Sequence, residues 1–443
     1  MNLPESVLTA LNRLEKSGHS AYVVGGSVRD ALLGHIPNDY DICTSARAAQ
    51  IREVFSDCKT IDIGAKFGTI KVFIDGLAIE ITTYRRELGY TDSRHPDSVV
   101  FSDDVSDDLS RRDFTANAVA YNPECGYVDP FGGIRDIKRH VLRAVGNPTE
   151  RFFEDALRIM RAARFCATLG FSMEPKTRAA AIYARNSLKN ISAERIRDEL
   201  SKFIVTKKAG DRLREYKQIF FVIIPELALC DGFAQNNPNH CFDVFGHICE
   251  TVNRVAPTLL LRLTALLHDI AKPDCYSYTD GRGRFLGHME KSASLTHDIL
   301  TRLRYPGVLV ARVTKLVNDH DRPYDSSPET ARYWLGKMGR EDIFNLLKLK
   351  RADCLAHDKS YHNRLRNLTS FDKAIRKVLF SNECYKLPML ALNGDDLLLM
   401  CKKDGRLVGE TLEYLLSEVI HSRAANDKET LLRLAEKYIS KGN

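Results

Sequence analysis

Two aspartates one residue apart, Asp39 and Asp41 in NDYDICT, raise the first chemical question in this chain. In an extended strand, residues two apart point to the same face with Cα atoms roughly 6.5–7 Å apart. No Lys or Arg adjoins the pair. Carboxylates held together repel unless one is protonated or a cation bridges them. Phosphoryl transfer supplies such a bridge, because two divalent ions about 3.5–4 Å apart can hold the attacking and leaving oxygens of an in-line displacement. Such a site takes hard oxygen ligands and suits Mg²⁺. Glu80, inside the apolar run LAIEITTY, offers a third carboxylate. Just upstream, VVGGSVRD reads as a strand, a Gly-Gly turn and a new helix ended by Gly34. Without Cβ atoms Gly25 and Gly26 let phosphate approach the backbone, and the helix start offers free amides and a positive dipole end. Ser27 can add a hydroxyl and Arg29 a charge. A plain tight turn would explain GGS alone, but not with the acidic pair thirteen residues on.

These side chains need a scaffold, and the pattern predicts one. Apolar, β-rich runs at 21–24, 40–43, 69–74, 77–83 and 118–121 imply strands, with Ile74-Asp75-Gly76 a hairpin turn between two of them. After Asn147 the periodicity becomes helical. Asn147-Pro148-Thr149-Glu150 has the form of a helix start, with an Asn cap, Pro at the first position and Glu at the third. That helix is expected to run through RFFEDALRIMRAARFCATLG to Gly170. Further helices are expected through Leu213, then around 259–272, 308–320 and 341–355.

At 443 residues the chain is long enough for two to four domains. No apolar run reaches the roughly 18 residues a membrane span needs. The opening MNLPESVLTALNRLEK is amphipathic and carries acids, unlike a secretory or transit segment, so a cytoplasmic protein is expected. Eleven cysteines without a CxxC pair fit reduced thiols rather than a disulfide frame. The net charge is +7, and twelve Lys or Arg against five Asp or Glu fall between Lys176 and Lys217. A localised excess beside a phosphate-handling site suits a nucleic-acid backbone.

GGSVRD followed by DYDICTSA resembles the head of the class II tRNA nucleotidyltransferases, the CCA-adding enzymes and their bacterial poly(A) polymerase relatives. The resemblance continues in order down nearly the whole chain. RRDFTANAVAYN at 111–122, DPFGGIRDI at 129–137, EDALRIMRAARF at 154–165 and AERIRDEL at 193–200 match successive family motifs. It implies an α+β fold: an N-terminal nucleotidyltransferase head (1–145) with a mixed, mainly antiparallel sheet, then an all-helical neck (146–235), an HD-like body (236–375) and a tRNA-binding tail (376–443). It implies template-independent addition of C, C and A to the tRNA 3′ end from CTP and ATP, with pyrophosphate released through two Mg²⁺ at Asp39 and Asp41. No obligate protein partner and no membrane are implied. Arg112 would take triphosphate oxygens, Asp113 and Asn117 the ribose hydroxyls, and Arg161 would also contact the nucleotide. Asn117 stands four beyond Asp113, one helical turn. The polar segment 84–101 resembles the loop the family needs for the final A.

Asp155 and Arg158 lie three apart on the expected neck helix and so on one face. An ordinary intrahelical ion pair is one reading. The other rests on base chemistry: cytosine and adenine both present an amine donor beside a ring-nitrogen acceptor, whereas uracil and guanine reverse the order. A carboxylate beside a guanidinium matches the first pattern, and buried mismatches are costly. The resemblance assigns base selection to this pair. Further on, LTALLHDIAKP places His268 beside Asp269, with His247, His288, His320 and Asp353 in the order of an HD-type metal phosphohydrolase. These suit a further divalent metal, and a packed helical core is the plainer reading. Other readings of the chain are a poly(A) polymerase, a CC-only or A-only enzyme, an HD phosphohydrolase and a non-catalytic RNA-binding protein.

Overall fold

The computed structural model describes residues 1–64, 68–89 and 98–441. The chain divides into two compact units, Met1–Ala228 and Leu229–Asn443.

The first unit opens with α1 (Glu5–Lys16), whose Val7, Ala10, Leu11 and Leu14 are fully buried at the i, i+3, i+4, i+7 spacing of one helix face. Next come β1 (Ala21–Val24), α2 (Gly26–Leu32), β2 (Tyr40–Thr44), α3 (Ala48–Val54), β3 (Lys59–Gly64), β4 (Thr69–Ile74) and β5 (Leu77–Thr83). They are followed by β6 (Arg85–Leu88), β7 (Ser98–Phe101), α4 (Val105–Ser110), β8 (Ala120–Asn122), β9 (Gly126–Val128) and α5 (Gly133–Lys138). A seven-stranded sheet runs in the order β3-β4-β5-β2-β1-β8-β9. Every pairing in it is antiparallel except β2 with β5. The mixed, mainly antiparallel sheet is therefore as the sequence implied. Alternate residues of its central strands, including Val23, Ile42, Ile70, Val72, Ile79 and Ile81, pack beneath α1 and α3. At the β4–β5 turn Asp75 and Gly76 both have positive φ, 47° and 82°, which is what a two-residue hairpin turn of matching twist requires.

The helical part of the first unit comprises α6 (Pro148–Glu154), α7 (Leu157–Leu169), α8 (Pro175–Ala184), α9 (Ala193–Ile204), α10 (Ala209–Glu215) and α11 (Lys217–Ile223). Asn147 caps α6 by accepting from the Thr149 amide at 3.0 Å, and Pro148 opens it. The neck is not wholly helical: β10 (Val141–Leu142) and β11 (Ser172–Met173) form a short parallel pair. The single helix expected from Asn147 to Gly170 is in fact two. The chain leaves helical geometry at Asp155 (φ −143°, ψ 102°), whose Oδ1 accepts from the Leu157 amide at 3.1 Å and starts α7 afresh.

The second unit contains α12 (Val244–Arg254), α13 (Leu259–Leu267), β12 (Tyr276–Thr279), β13 (Arg282–Phe285), α14 (His288–Arg302), α15 (Gly307–Asp319) and α16 (Pro328–Leu355). It ends with α17 (Arg364–Phe380), α18 (Gly394–Leu397), α19 (Gly405–Ile420) and α20 (Lys428–Lys441). The β12–β13 hairpin is an exception to the all-helical body the sequence implied. α16 is kinked where Gly339 takes φ 78°. Among the described residues no helix is long and apolar enough to cross a membrane.

Candidate nucleotide and metal sites

One cleft of about 640 Å³ in the first unit gathers most of the residues singled out in the sequence. Gly25, Gly26, Arg29, Asp39, Asp41, Arg112, Asp113, Asn117, Asp155, Arg158 and Arg161 all line it. Asp41 lies in β2, and Asp39 precedes that strand rather than belonging to it. Gly25 has φ 78°, and a Cβ there would lie 2.9 Å from Arg112 Nη1 and 3.9 Å from Asp41 Oδ2. The turn is therefore glycine for two reasons: its backbone conformation and the guanidinium held against it. Burial pushes the Asp41 carboxyl up to about 6, with Arg112 opposing and repulsion from Glu80 and Asp39 adding to it.

Two of the predicted residues are placed differently. Ser27 is buried and its hydroxyl donates to the Val24 carbonyl at 3.1 Å, so it staples the turn rather than facing the cleft. Glu80 pairs in register with Asp41 across β2 and β5 but is held by Lys71 Nζ at 2.9 Å and does not line the cleft.

The arginines and acids of the cleft are wired together. Asp108, fully buried, accepts from Arg111 at 2.7 Å and Arg112 at 3.1 Å. Burial alone would push its carboxyl up, yet the two guanidinium groups hold it below the usual range. Arg29 Nη1 donates to Asn117 Oδ1 at 2.7 Å, and Asn117 Nδ2 donates to Asp113 Oδ1 at 3.0 Å. Asp113 and Asn117 are thus joined directly, but through an extended Phe114 and a short 3-10 turn instead of one α-helical turn. Arg161 donates twice to Asp113 Oδ2, at 2.6 and 2.9 Å. Asp155 and Arg158 do not pair across a common helix face as the spacing suggested. Asp155 Oδ2 is held by Arg195 at 2.8 Å, while Arg158 is held by Glu154 at 2.6 Å. Both still face the same cleft.

Residues 90–97 of the polar segment 84–101 lie outside the described residues. The flanks on either side form the β6–β7 hairpin, with Arg86 opposite Val100 and Glu87 opposite Val99, where the sequence suggested only a loop.

The second unit assembles all six HD-type residues into two overlapping sets, His247–His268–Asp269–Asp353 and Asp269–His288–His320, with ligand atoms within 4.8 Å of one another in each. Among the described residues these sets meet that limit; Asp39, Asp41 and Glu80 do not form one. Each imidazole is oriented the same way. Nδ1 of His268, His288 and His320 lies 2.7–2.8 Å from a backbone carbonyl, and that of His247 lies 3.4 Å from Ala356 O. A proton on each Nδ1 leaves Nε2 free to ligate, and the Nε2 atoms face inward, 3.3 Å apart for His247–His268 and 3.4 Å for His288–His320. Both carboxylate oxygens of Asp269 are buried without a directed hydrogen bond, with Lys272 Nζ 2.7 Å from one of them. Burial holds the His247 imidazole down to about 4 and so in its neutral form.

Residues 21–143 match the family model of the Poly A polymerase head domain, residues 170–230 that of the probable RNA and SrmB-binding site of polymerase A, and residues 239–358 that of the HD domain. A CCA-adding enzyme of Limosilactobacillus fermentum is 33% identical over 96% of this chain and 94% of its own length. A CCA-adding enzyme of Lactobacillus helveticus is 33% identical over 99% of this chain and 98% of its own. The chain belongs to the CCA-adding enzyme family. A crystal structure of the CCA-adding enzyme of Bacillus stearothermophilus, in complex with CTP, superposes with a TM-score of 0.71 at 27% identity, covering 100% of this chain and 99% of that one.

This member of the CCA-adding family also has residues in or behind the cleft that the sequence reading did not single out. Arg195 and Glu154 fix Asp155 and Arg158, and Asp108 fixes Arg112. Phe165 sits among Arg29, Arg161 and Arg164, whose guanidinium carbons lie 5.3, 5.3 and 4.1 Å from its ring centre. Asp108 was legible in DDLSRRD as an acid three and four residues before two arginines, the spacing of a helical ion pair. Arg195 carried no comparable local signal, since Asp155 lies forty residues away.

Proposed function

We infer that the chain adds C, C and A to the 3′ end of tRNA, using CTP and ATP and releasing pyrophosphate. The observation that carries this is the convergence, in one cleft, of the Gly25 turn, Asp39 and Asp41, Arg29 and Arg112, and the side chains of Asp155 and Arg158. On this reading Arg112 and Arg29 take triphosphate oxygens beside the Gly25 turn, where no Cβ blocks approach. Asp113 and Asn117 hold the ribose hydroxyls. Asp155 accepts from the exocyclic amine of C or A, and Arg158 donates to the neighbouring ring nitrogen; Arg195 and Glu154 keep the two in position.

Asp39 and Asp41 suit a hard divalent cation, because both are carboxylates on the open cleft. Two Mg²⁺ ions bound by them would activate the RNA 3′-hydroxyl and neutralise the departing pyrophosphate. Glu80 would join as a third ligand on release from Lys71. Residues 1–145, 146–235, 236–375 and 376–443 would serve as catalytic head, base-selecting neck, HD-like body and RNA-binding tail. The test is incorporation of radiolabelled CTP and ATP, separately and together, into tRNA lacking its CCA end. A stop after three additions supports the reading. A long A ladder points to a poly(A) polymerase, and no incorporation overturns it.

The inward-facing imidazoles support a second activity in the same chain, an HD-type metal phosphohydrolase. The buried, undirected oxygens of Asp269 and the neutral His247 fit a transition metal between the two sets. Metal analysis of the purified protein, with His268→Ala as control, tests it: stoichiometric metal lost in the variant is expected, and an equal trace in both refutes it.

A further inference from the structure

Phe153, the penultimate residue of α6, and Tyr183, near the end of α8, stand with 46% and 72% of their surface exposed. Their ring centres are 6.1 Å apart at an interplanar angle of 89°, the edge-to-face arrangement of a mutually supporting pair. Two large exposed rings side by side mark a place where something else packs. Phe153 is two residues from Asp155, which lines the nucleotide cleft, so the pair stands next to the element that selects the base. The flanking charge is positive. Lys176 and Lys189 are exposed and have no carboxylate partner among the described residues, and Arg178 and Arg185 donate to the backbone carbonyls of Glu215 and Ile182.

We propose that Phe153 and Tyr183 form a stacking platform for unpaired bases of the RNA 3′ strand, just behind the growing terminus. The idea rests on the nucleotide-adding activity inferred above. Rings stack on any base, and each stacked base contributes about 1–3 kcal/mol to binding. An enzyme that adds three nucleotides in succession meets a different terminal base each time. Hydrogen-bond readout at that position would favour one step over the others, whereas stacking serves all of them. The cationic residues around Tyr183 supply the phosphate contacts that such a strand needs.

The test uses the full chain and tRNA lacking its last one, two or three nucleotides. With Phe153→Ala, Tyr183→Ala and the double variant, KM for RNA is expected to rise roughly five- to a hundredfold at every step. KM for CTP and the melting temperature should stay as in wild type, and Tyr183→Phe should restore RNA binding. A 2-aminopurine base placed next to the RNA terminus should be quenched by wild type and not by the double variant. Unchanged RNA KM and unchanged quenching in the double variant overturn the platform while leaving the activity standing. Failure of wild type to extend any RNA overturns the activity itself, and direct RNA quenching then still reports on the platform.

Discussion

Removing Arg161 should show how the Asp113 carboxylate is kept ionised. Asp113 is almost wholly enclosed and receives two donations from Arg161, one from Asn117 and one from the Phe114 amide at 2.9 Å. Burial would push its carboxyl up, yet Arg161 and then Asn117 hold it below the ordinary value. Deleting one partner of a buried pair costs about 3–5 kcal/mol. Arg161 is 34% exposed, so water screens part of that, and about 2 kcal/mol is the expected loss for Arg161→Ala. At about 2–4 °C per kcal/mol for a unit of this size, the first unit should melt roughly 4–8 °C lower at pH 7.5. Because the folded carboxyl is depressed, its contribution is present above the unfolded value near 3.9 and is lost as pH falls through the folded one. In the variant only Asn117, the Phe114 amide and Arg158 still oppose burial, so the carboxyl rises. A proton then binds at a higher pH than in wild type, and the deficit should narrow between pH 7.5 and 5. Calorimetry on wild type, Arg161→Ala, Asp113→Asn and the double variant reads both effects. The double variant should be less damaged than the sum of the singles. A deficit that is equal at both pH values, or strictly additive changes, would refute the buried-pair reasoning.

Gly25→Ala forces a side chain into a backbone geometry that L-residues avoid and against Arg112. It should cost about 1–3 kcal/mol in a thermal melt and raise KM for CTP, and a neutral outcome in both assays would contradict the close approach. Ser27→Ala removes only the bond to Val24, so stability should drop by about 1 kcal/mol with KM for CTP unchanged. Arg158→Ala should erode the preference for CTP over UTP about tenfold or more in competition assays; retained selectivity would reassign base reading. With Asp41 titrating near 6, Mn²⁺ affinity of the nucleotide-free protein, measured by electron paramagnetic resonance, should be flat above that pH. Below it the affinity should fall about tenfold per unit, and a pH-independent affinity would place the ion elsewhere.

Much of the head was legible because its signals are local. The GG turn and the IDG hairpin each depend on residues a few positions apart, and the structure forms both; of the D-x-D step only Asp41 falls within the strand. The misjudged places are those where a side chain competes with the backbone period. Asp155 interrupts an otherwise continuous apolar pattern because its carboxylate caps the next helix, and E-D-A-L is in retrospect a cap signature. Strands β3 and β6 went unread for a different reason. KTIDIG leaves Ile61 and Ile63 exposed at a sheet edge, and RREL is charged, so neither shows the buried alternation that marks an inner strand. The partners of Glu80 and Asp155, Lys71 and Arg195, are set by register and helix packing, which no short window contains.

The lone parallel pairing in the seven-stranded sheet, β2 with β5, has a kinetic meaning. A parallel neighbour cannot be reached by a tight turn, so α3, β3 and β4 must be laid down before Asp41 and Glu80 become cross-strand neighbours. The Asp41–Glu80 contact is therefore non-local, and closing it costs more chain entropy than forming the β4–β5 hairpin beside it. A nascent chain that has not yet delivered β5 therefore carries Asp39 and Asp41 but not their cross-strand neighbour Glu80.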